Sequence, residues 1–189
     1  MAAWQEFIVN KKQKTDVQIF SQNLLENTLT LHSDLTDFTY KHRGYQRFNI
    51  NDPKARVIHK AMVRDRLLHH AIYRILYPVF DKGFIFDSYS CRLEKGTHRA
   101  VKRLEGFTRK VSRNYTRPCF ALKCDVKKFF DSVDHKILLR ILGKKIADND
   151  TLLLLKEIIT SFNRLKSRQL SLFRNLDFAN EIERERERE

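Results

Sequence analysis

The sequence predicts an α+β fold that is rich in helix and carries one β-hairpin and a partial antiparallel sheet. Three observations carry that expectation. Apolar residues recur every three to four positions over several segments, and two short β-prone runs flank a turn-forming cluster. In addition, Phe120-Ala121-Leu122-Lys123-Cys124-Asp125 reads as a strand with Phe120, Leu122 and Cys124 entering a core while Ala121, Lys123 and Asp125 face the other way. The 189 residues fit one ordinary domain, and a 42% hydrophobic content is enough to bury a core.

Taken in order, a polar opening from Asn10 to Lys14 precedes Val17, Phe20, Leu24 and Leu31, whose spacing predicts an amphipathic helix over 16–31. The β-prone runs Tyr45 to Ile50 and Ala55 to His59 are separated by Asn51-Asp52-Pro53-Lys54, a turn sequence, and predict a hairpin with a basic lip. Leu67, Leu68, Ala71, Ile72, Ile75 and Leu76 then predict a helix over 64–77, which Pro78 is expected to end. After a loop through Gly83, residues 97–113 predict the most polarised helix. Val101, Leu104, Thr108 and Val111 share an expected core face, and Arg99, Lys102, Arg103, Lys110 and Arg113 share the opposite one. Beyond the Asp125 strand, Ile137, Leu138, Ile141 and Leu142 predict a short helix capped by Asp134. A further helix over 151–162 carries Leu152, Leu155, Ile158 and Ile159. The alternating Glu-Arg end suits neither helix nor strand and reads as a solvated or disordered tail.

A formal charge of +14, from 37 basic and 23 acidic residues, points to a polyanionic partner, nucleic acid first. From Arg92 to Arg117 there are nine basic and two acidic residues, whereas a merely solvated helix usually mixes both signs. No apolar run approaches the ~20 residues of a membrane span, and no secretory leader opens the chain, so no membrane partner and a cytoplasmic location are expected. Cys91, Cys119 and Cys124 are odd in number and form no CxxC pair, which argues against a disulfide framework or a zinc site. The seven histidines show no HxxxH or HExxH spacing.

Three segments together carry a resemblance. The first is Asp52-Pro53-Lys54-Ala55-Arg56-Val57-Ile58-His59 followed by Val63-Arg64-Asp65-Arg66-Leu67-Leu68-His69-His70-Ala71-Ile72. The second is Phe84-Ile85-Phe86-Asp87-Ser88-Tyr89-Ser90-Cys91-Arg92-Leu93-Glu94-Lys95-Gly96-Thr97-His98-Arg99-Ala100. The third is the Asp125 strand with Phe129-Phe130-Asp131-Ser132-Val133-Asp134-His135. In order and spacing they resemble the reverse transcriptases of the bacterial group II intron lineage, most closely those of diversity-generating retroelements. The resemblance implies an N-terminal helical segment over 1–43, fingers over 44–117, the first part of a palm over 118–163 and a degenerate tail over 164–189.

It also implies an RNA-directed DNA polymerase that uses Mg²⁺, or Mn²⁺ in its place. The implied partners are an RNA template, a DNA primer, deoxynucleoside triphosphates and a small basic accessory protein. Such an enzyme holds two hard cations between carboxylate oxygens, one activating the 3′-hydroxyl and one stabilising the leaving pyrophosphate. Asp125 matches the family's first metal carboxylate, and the backbone carbonyl of Val126 is expected to add an oxygen. Read alone, Asp125 is better taken as an aspartate that ends a strand or caps a turn. Phe130 matches the ring that packs on the nucleotide sugar and excludes a 2′-hydroxyl, although Phe129 and Phe130 could instead be core. Lys54, Arg56 and Arg92 match basic fingers residues that grip the triphosphate, with Arg suited to bidentate contact. Arg99, Lys102, Arg103, Lys110 and Arg113, with Lys11, Lys12 and Lys14, are placed to track a template backbone. Asp65 reads as a structural ion-pair partner rather than a catalytic group, and Ser88-Tyr89 as a loop-shaping pair.

The chain also departs from the family. It contains no Asp-Asp pair, and its Asp148 and Asp150 flank Asn149 in what reads as a helix-start loop. The family's glycine-proline template-grip motif is missing after Phe162. The expectation is an N-terminal fragment of a longer polymerase, inactive alone. The competing class is a non-catalytic basic RNA-binding module derived from a reverse transcriptase. A one-metal nuclease around Asp125 lacks the accompanying acidic cluster.

Overall fold

Apolar residues at helical spacing near the start of the chain find their partners in one another and in a helix far along the sequence. The structure, a computed structural model, describes residues 1–51 and 54–162. Its elements are α1 (Ala2–Phe7), α2 (Thr15–Gln22), α3 (Leu24–Thr36), β1 (Tyr45–Ile50), β2 (Arg56–Ala61), α4 (Val63–Asp81), α5 (Thr97–Val111), α6 (Phe129–Ser132) and α7 (His135–Gly143). A further helix, α8, covers 149–162. The chain divides into two compact units, Met1–Ile72 with the described residues from Asp134 on, and Tyr73–Val133.

The first unit holds the core: Trp4, Phe7, Val17, Leu31, Tyr40, Val63, Leu67 and Leu68, with Leu154 and Ile158 of α8 packed against them. Helix α1 lies outside the helices that periodicity predicts. It is short, and its signal is only the spacing of Trp4 and Phe7, whose rings lie 5.8 Å apart, with Phe20 5.5 Å from Trp4. The single helix expected over 16–31 is two. Asn23 leaves the helical region (φ −118°, ψ 44°), and Asn27 Nδ2 donates to the freed carbonyl of Phe20 at 3.0 Å. An asparagine side chain can stand in for a backbone donor in this way, so the Phe20 carbonyl keeps a partner across the break.

The hairpin forms as expected, antiparallel from Tyr45↔Ala61 to Ile50↔Arg56. Asp52 and Pro53 of its turn lie outside the described residues. Its base is tied to α8, where the Tyr45 and Ser161 hydroxyls are 2.6 Å apart and Phe162 stands edge-on to Tyr45 and His59.

Helix α4 opens on a buried polar cluster. Asp65, 0% exposed, accepts from the Tyr40 hydroxyl (2.8 Å), the Arg43 backbone N–H (3.2 Å) and Arg64 (3.4 Å). Arg64 also pairs with Asp34 of α3 and stacks over the Tyr40 ring. Burial foremost, then the bond to Asp65, raises the Tyr40 hydroxyl's pKa far above its ordinary value. Pro78 does not end α4, which runs on to Asp81. Proline removes one N–H and crowds the carbonyl four residues back, here that of exposed Arg74, yet the helix carries on for three residues beyond it.

Asp134 caps α7 as expected, accepting from the N–H groups of Lys136 (2.7 Å) and Ile137 (3.0 Å), and these bonds hold its carboxyl below the usual range. Asp148 caps α8 through the N–H of Thr151 at 2.9 Å.

Two expectations in the second unit are corrected. Residues 118–126 form no strand, and Phe120 (96% exposed), Leu122 (91%) and Cys124 face solvent rather than a core. A strand exists only by pairing, and among the described residues no other strand lies beside this segment, since the sheet consists of β1 and β2 alone. Likewise Val101, Leu104 and Val111 of α5 are exposed, so the face expected to be core is uncovered. The expected tail over 164–189 lies outside the described residues. No described helix is long and apolar enough to cross a membrane.

Candidate nucleic-acid interface

The second unit concentrates cations and rings on the loop after α4 and on α5. The loop is organised by Arg92, whose side chain is only 9% exposed. Its Nε donates to Asp81 Oδ1 at 2.7 Å and its two terminal nitrogens donate to the backbone carbonyls of Ile85 (3.0 Å), Ser88 (3.3 Å) and Asp81 (3.3 Å). The flanking Cys91 and Glu94 adopt left-handed backbone (φ 55° and 58°), a conformation that side chains resist and that this network of bonds holds in place. The Arg92 guanidinium keeps the Asp81 carboxyl below its ordinary value. Arg92 is thus the tie of its own loop.

That loop sets Phe86, Asp87 and Tyr89 against α5. Asp87 accepts from Arg103 Nε at 2.9 Å and from the Tyr89 hydroxyl at 3.0 Å, and the arginine holds its carboxyl low. Lys95 Nζ stands 3.8 Å from the Phe86 ring centre and donates to the Phe86 carbonyl. The Arg103 guanidinium lies 4.4 Å from the Phe107 ring and 5.4 Å from that of Phe86. Arg99, Lys102, Lys110 and Arg113 are exposed, and none of them forms a salt bridge among the described residues. Arg103 differs from them in being already paired.

Past α5 the chain reverses through three consecutive left-handed residues, Arg113, Asn114 and Tyr115. Buried Ser112 fastens this turn, its hydroxyl accepting from the Tyr115 N–H at 2.8 Å and its carbonyl from the Arg117 N–H at 2.9 Å. The segment that follows carries Asp125, exposed, and the adjacent Val126, also exposed. Phe129 and Phe130 stand edge to face at 5.3 Å, and with Phe130 89% exposed and Phe129 also open, neither is core.

In the first unit, Lys54 and Arg56 are exposed at the lip of the hairpin, Arg56 opening β2 opposite Ile50. Lys12 and Lys14 are exposed too, whereas Lys11 bends back to donate to the Phe7 carbonyl at 2.7 Å.

Among the described residues no three histidine, cysteine or acidic side chains gather to hold a metal. A lone exposed carboxylate beside one carbonyl does not fit a resident two-ion magnesium centre, since hard cations of that size take six oxygens and paired ions share several carboxylates. Sequence reasoning gives Tyr89 only a loop-shaping part and does not single out Phe86 or Lys95. The available signal is the aromatic run Phe84, Phe86 and Tyr89 placed just ahead of the basic residues from Arg92 to Arg103, which charge counting alone passes over.

Two curated relatives share part of this chain. The protein is 26% identical over 86 residues to Protein YkfC of Escherichia coli K12, covering 46% of this chain and 22% of that protein. It is 26% identical over 117 residues to the group II intron-encoded protein LtrA of Lactococcus lactis subsp. cremoris, covering 60% of this chain and 18% of that one. The chain therefore spans about a fifth of the length of the curated relatives it matches. No family model matches it. By sequence, the chain is a distant relative of a group II intron-encoded protein.

Proposed function

We propose that this chain is the fingers and first part of the palm of an RNA-directed DNA polymerase of the group II intron lineage. Its role in this piece is to bind template and nucleotide phosphates. The observation that carries the reading is the cation-rich, ring-lined surface of α5 and its loop, built from the second of the three ordered motifs. The distant likeness to LtrA supports the lineage. The finer placement, near diversity-generating retroelements with a small basic accessory protein, rests on the three motifs alone.

In this reading Lys54 and Arg56 meet the triphosphate, and Arg92 can bind phosphate only if it gives up Asp81. Phe130, open to solvent, packs on the nucleotide sugar. Asp125 and the Val126 carbonyl contribute to a magnesium or manganese site whose other carboxylates come from outside the described residues.

The purified chain should bind a primer–template in a salt-dependent way yet give no primer extension in Mg²⁺ or Mn²⁺. Extension above a protein-free control would contradict the single-carboxylate account. The missing Asp-Asp pair favours a second reading, the non-catalytic RNA-binding module. The two part over the nucleotide: the polymerase reading predicts that a complementary deoxynucleoside triphosphate tightens primer–template binding, and that Arg56→Ala removes that gain without weakening primer–template affinity. The module reading predicts no gain.

A further inference from the structure

On one face of the second unit, Phe86, Tyr89, Lys95, Arg99, Lys102 and Arg103 line a groove of about 390 Å³. Its volume suits one or two nucleotides rather than a duplex. The Phe86 ring is two-thirds open to solvent although two cations attend it, Lys95 at 3.8 Å and Arg103 at 5.4 Å. Lys95 also stands 5.6 Å from the Tyr89 ring. A ring left two-thirds open beside two cations is poor packing for a core, and its uncovered surface suits a flat π-system that itself carries a negative phosphate. Arg103 is fixed by Asp87, so the local geometry is set before any ligand arrives. Arg99 and Lys102 add two exposed charges without salt-bridge partners among the described residues. The groove wall includes Gly106, where an added Cβ would meet nothing within 4 Å.

We infer that this groove takes an unpaired nucleotide of a single-stranded polynucleotide, the base stacking on Phe86 and the flanking phosphates meeting Arg99 and Lys102. The inference rests on the nucleic-acid reading above and adds to it a stacking position and a preference for unpaired strand. A duplex keeps its bases stacked on one another and offers no face to Phe86, whereas a single strand gains by stacking on protein rings. Each phosphate neutralised also releases counterions, so Arg99 and Lys102 act on any strand regardless of its bases.

The test is fluorescence anisotropy of the whole chain with labelled ten-nucleotide probes: uridine RNA, thymidine DNA, the same backbones with abasic sites, and a duplex. Phe86→Leu, at an exposed position, should weaken binding of the intact single strands about tenfold, the effect of losing one stacked base. It should leave the abasic strands and the duplex unchanged, and Phe86→Tyr should restore affinity. Gly106→Leu favours the helix but fills the groove, so it should lower intact-strand affinity while far-ultraviolet circular dichroism keeps the helix signal. Arg99→Gln with Lys102→Gln should weaken intact and abasic strands alike. A Phe86→Leu loss on only one sugar backbone still supports the groove and names the strand. No loss with Phe86→Leu, or an equal loss on intact and abasic strands, overturns the stacking inference and leaves the nucleic-acid reading standing. A wild-type chain that binds no probe overturns both.

Discussion

Asp65 makes bonds to a hydroxyl, a backbone N–H and a guanidinium, so its charge is buried without being orphaned. Removing such a partner leaves Arg64 buried with only the Asp34 carboxylate to answer its charge, and breaking buried pairs is costly because the remaining charge keeps its desolvation penalty. Asp65→Ala should lower unfolding stability by about 3 kcal/mol, read as a fall in the urea midpoint at unchanged slope. A decrease under ~0.5 kcal/mol would show that the cluster is not holding α4 to α3. The structural role of Asp65 is legible in the sequence, because its acid sits between two arginines at the start of a helix. That Arg92 ties its own loop is not, since the partners are backbone carbonyls and an aspartate eleven residues back, none of which residue types announce.

Among elements, α2 meets β2 and α4 through one carboxylate. Asp16 pairs with Lys60 at 2.6 Å and with Arg66. Partial burial pushes its carboxyl up, but the Lys60 bond and the Arg66 charge outweigh that and leave it below its ordinary value. A lowered folded value means the contribution is complete above the ordinary carboxylate value of about 3.9 and is lost as pH falls through the lower folded one. Asp16→Asn should therefore cost about 1 kcal/mol at pH 7 and progressively less below about pH 4, measured by urea unfolding at both ends. A penalty that persists undiminished at about pH 2 would refute the ionic account. The elements that are legible from the chain are those whose cause is local: the hairpin between two β-prone runs and the cap at Asp134. The expected Phe120–Asp125 strand fails because alternation describes a strand's faces and says nothing of whether a neighbour exists to share its hydrogen bonds. The Asn23 break and the passage of α4 through Pro78 turn on single backbone groups that periodicity averages away.

For the whole molecule, buried apolar side chains fall to one unit. Every buried hydrophobic residue among those described lies in the first unit, and among the residues between Tyr73 and Val133 whose burial is described only Ser112 is buried. Amides of α5 should accordingly exchange with deuterium much faster than those of α3 and the first turns of α4. Equal protection would mean that the second unit has support of its own. The same contrast explains why the site is only partly legible. The basic face of α5 can be counted from the chain, while the aromatic groove beside it depends on a loop whose path Arg92 sets.

If the exposed cations of α5 bind nucleic-acid phosphates, the slope of log affinity against log salt must register them. For a single-stranded RNA, the wild-type affinity should fall steeply between about 50 and 200 mM salt. With Arg99→Gln and Lys102→Gln the slope should flatten by about 1.4, at about 0.7 per phosphate no longer neutralised. An affinity that ignores salt, or a double variant with an unchanged slope, would contradict phosphate binding by this face.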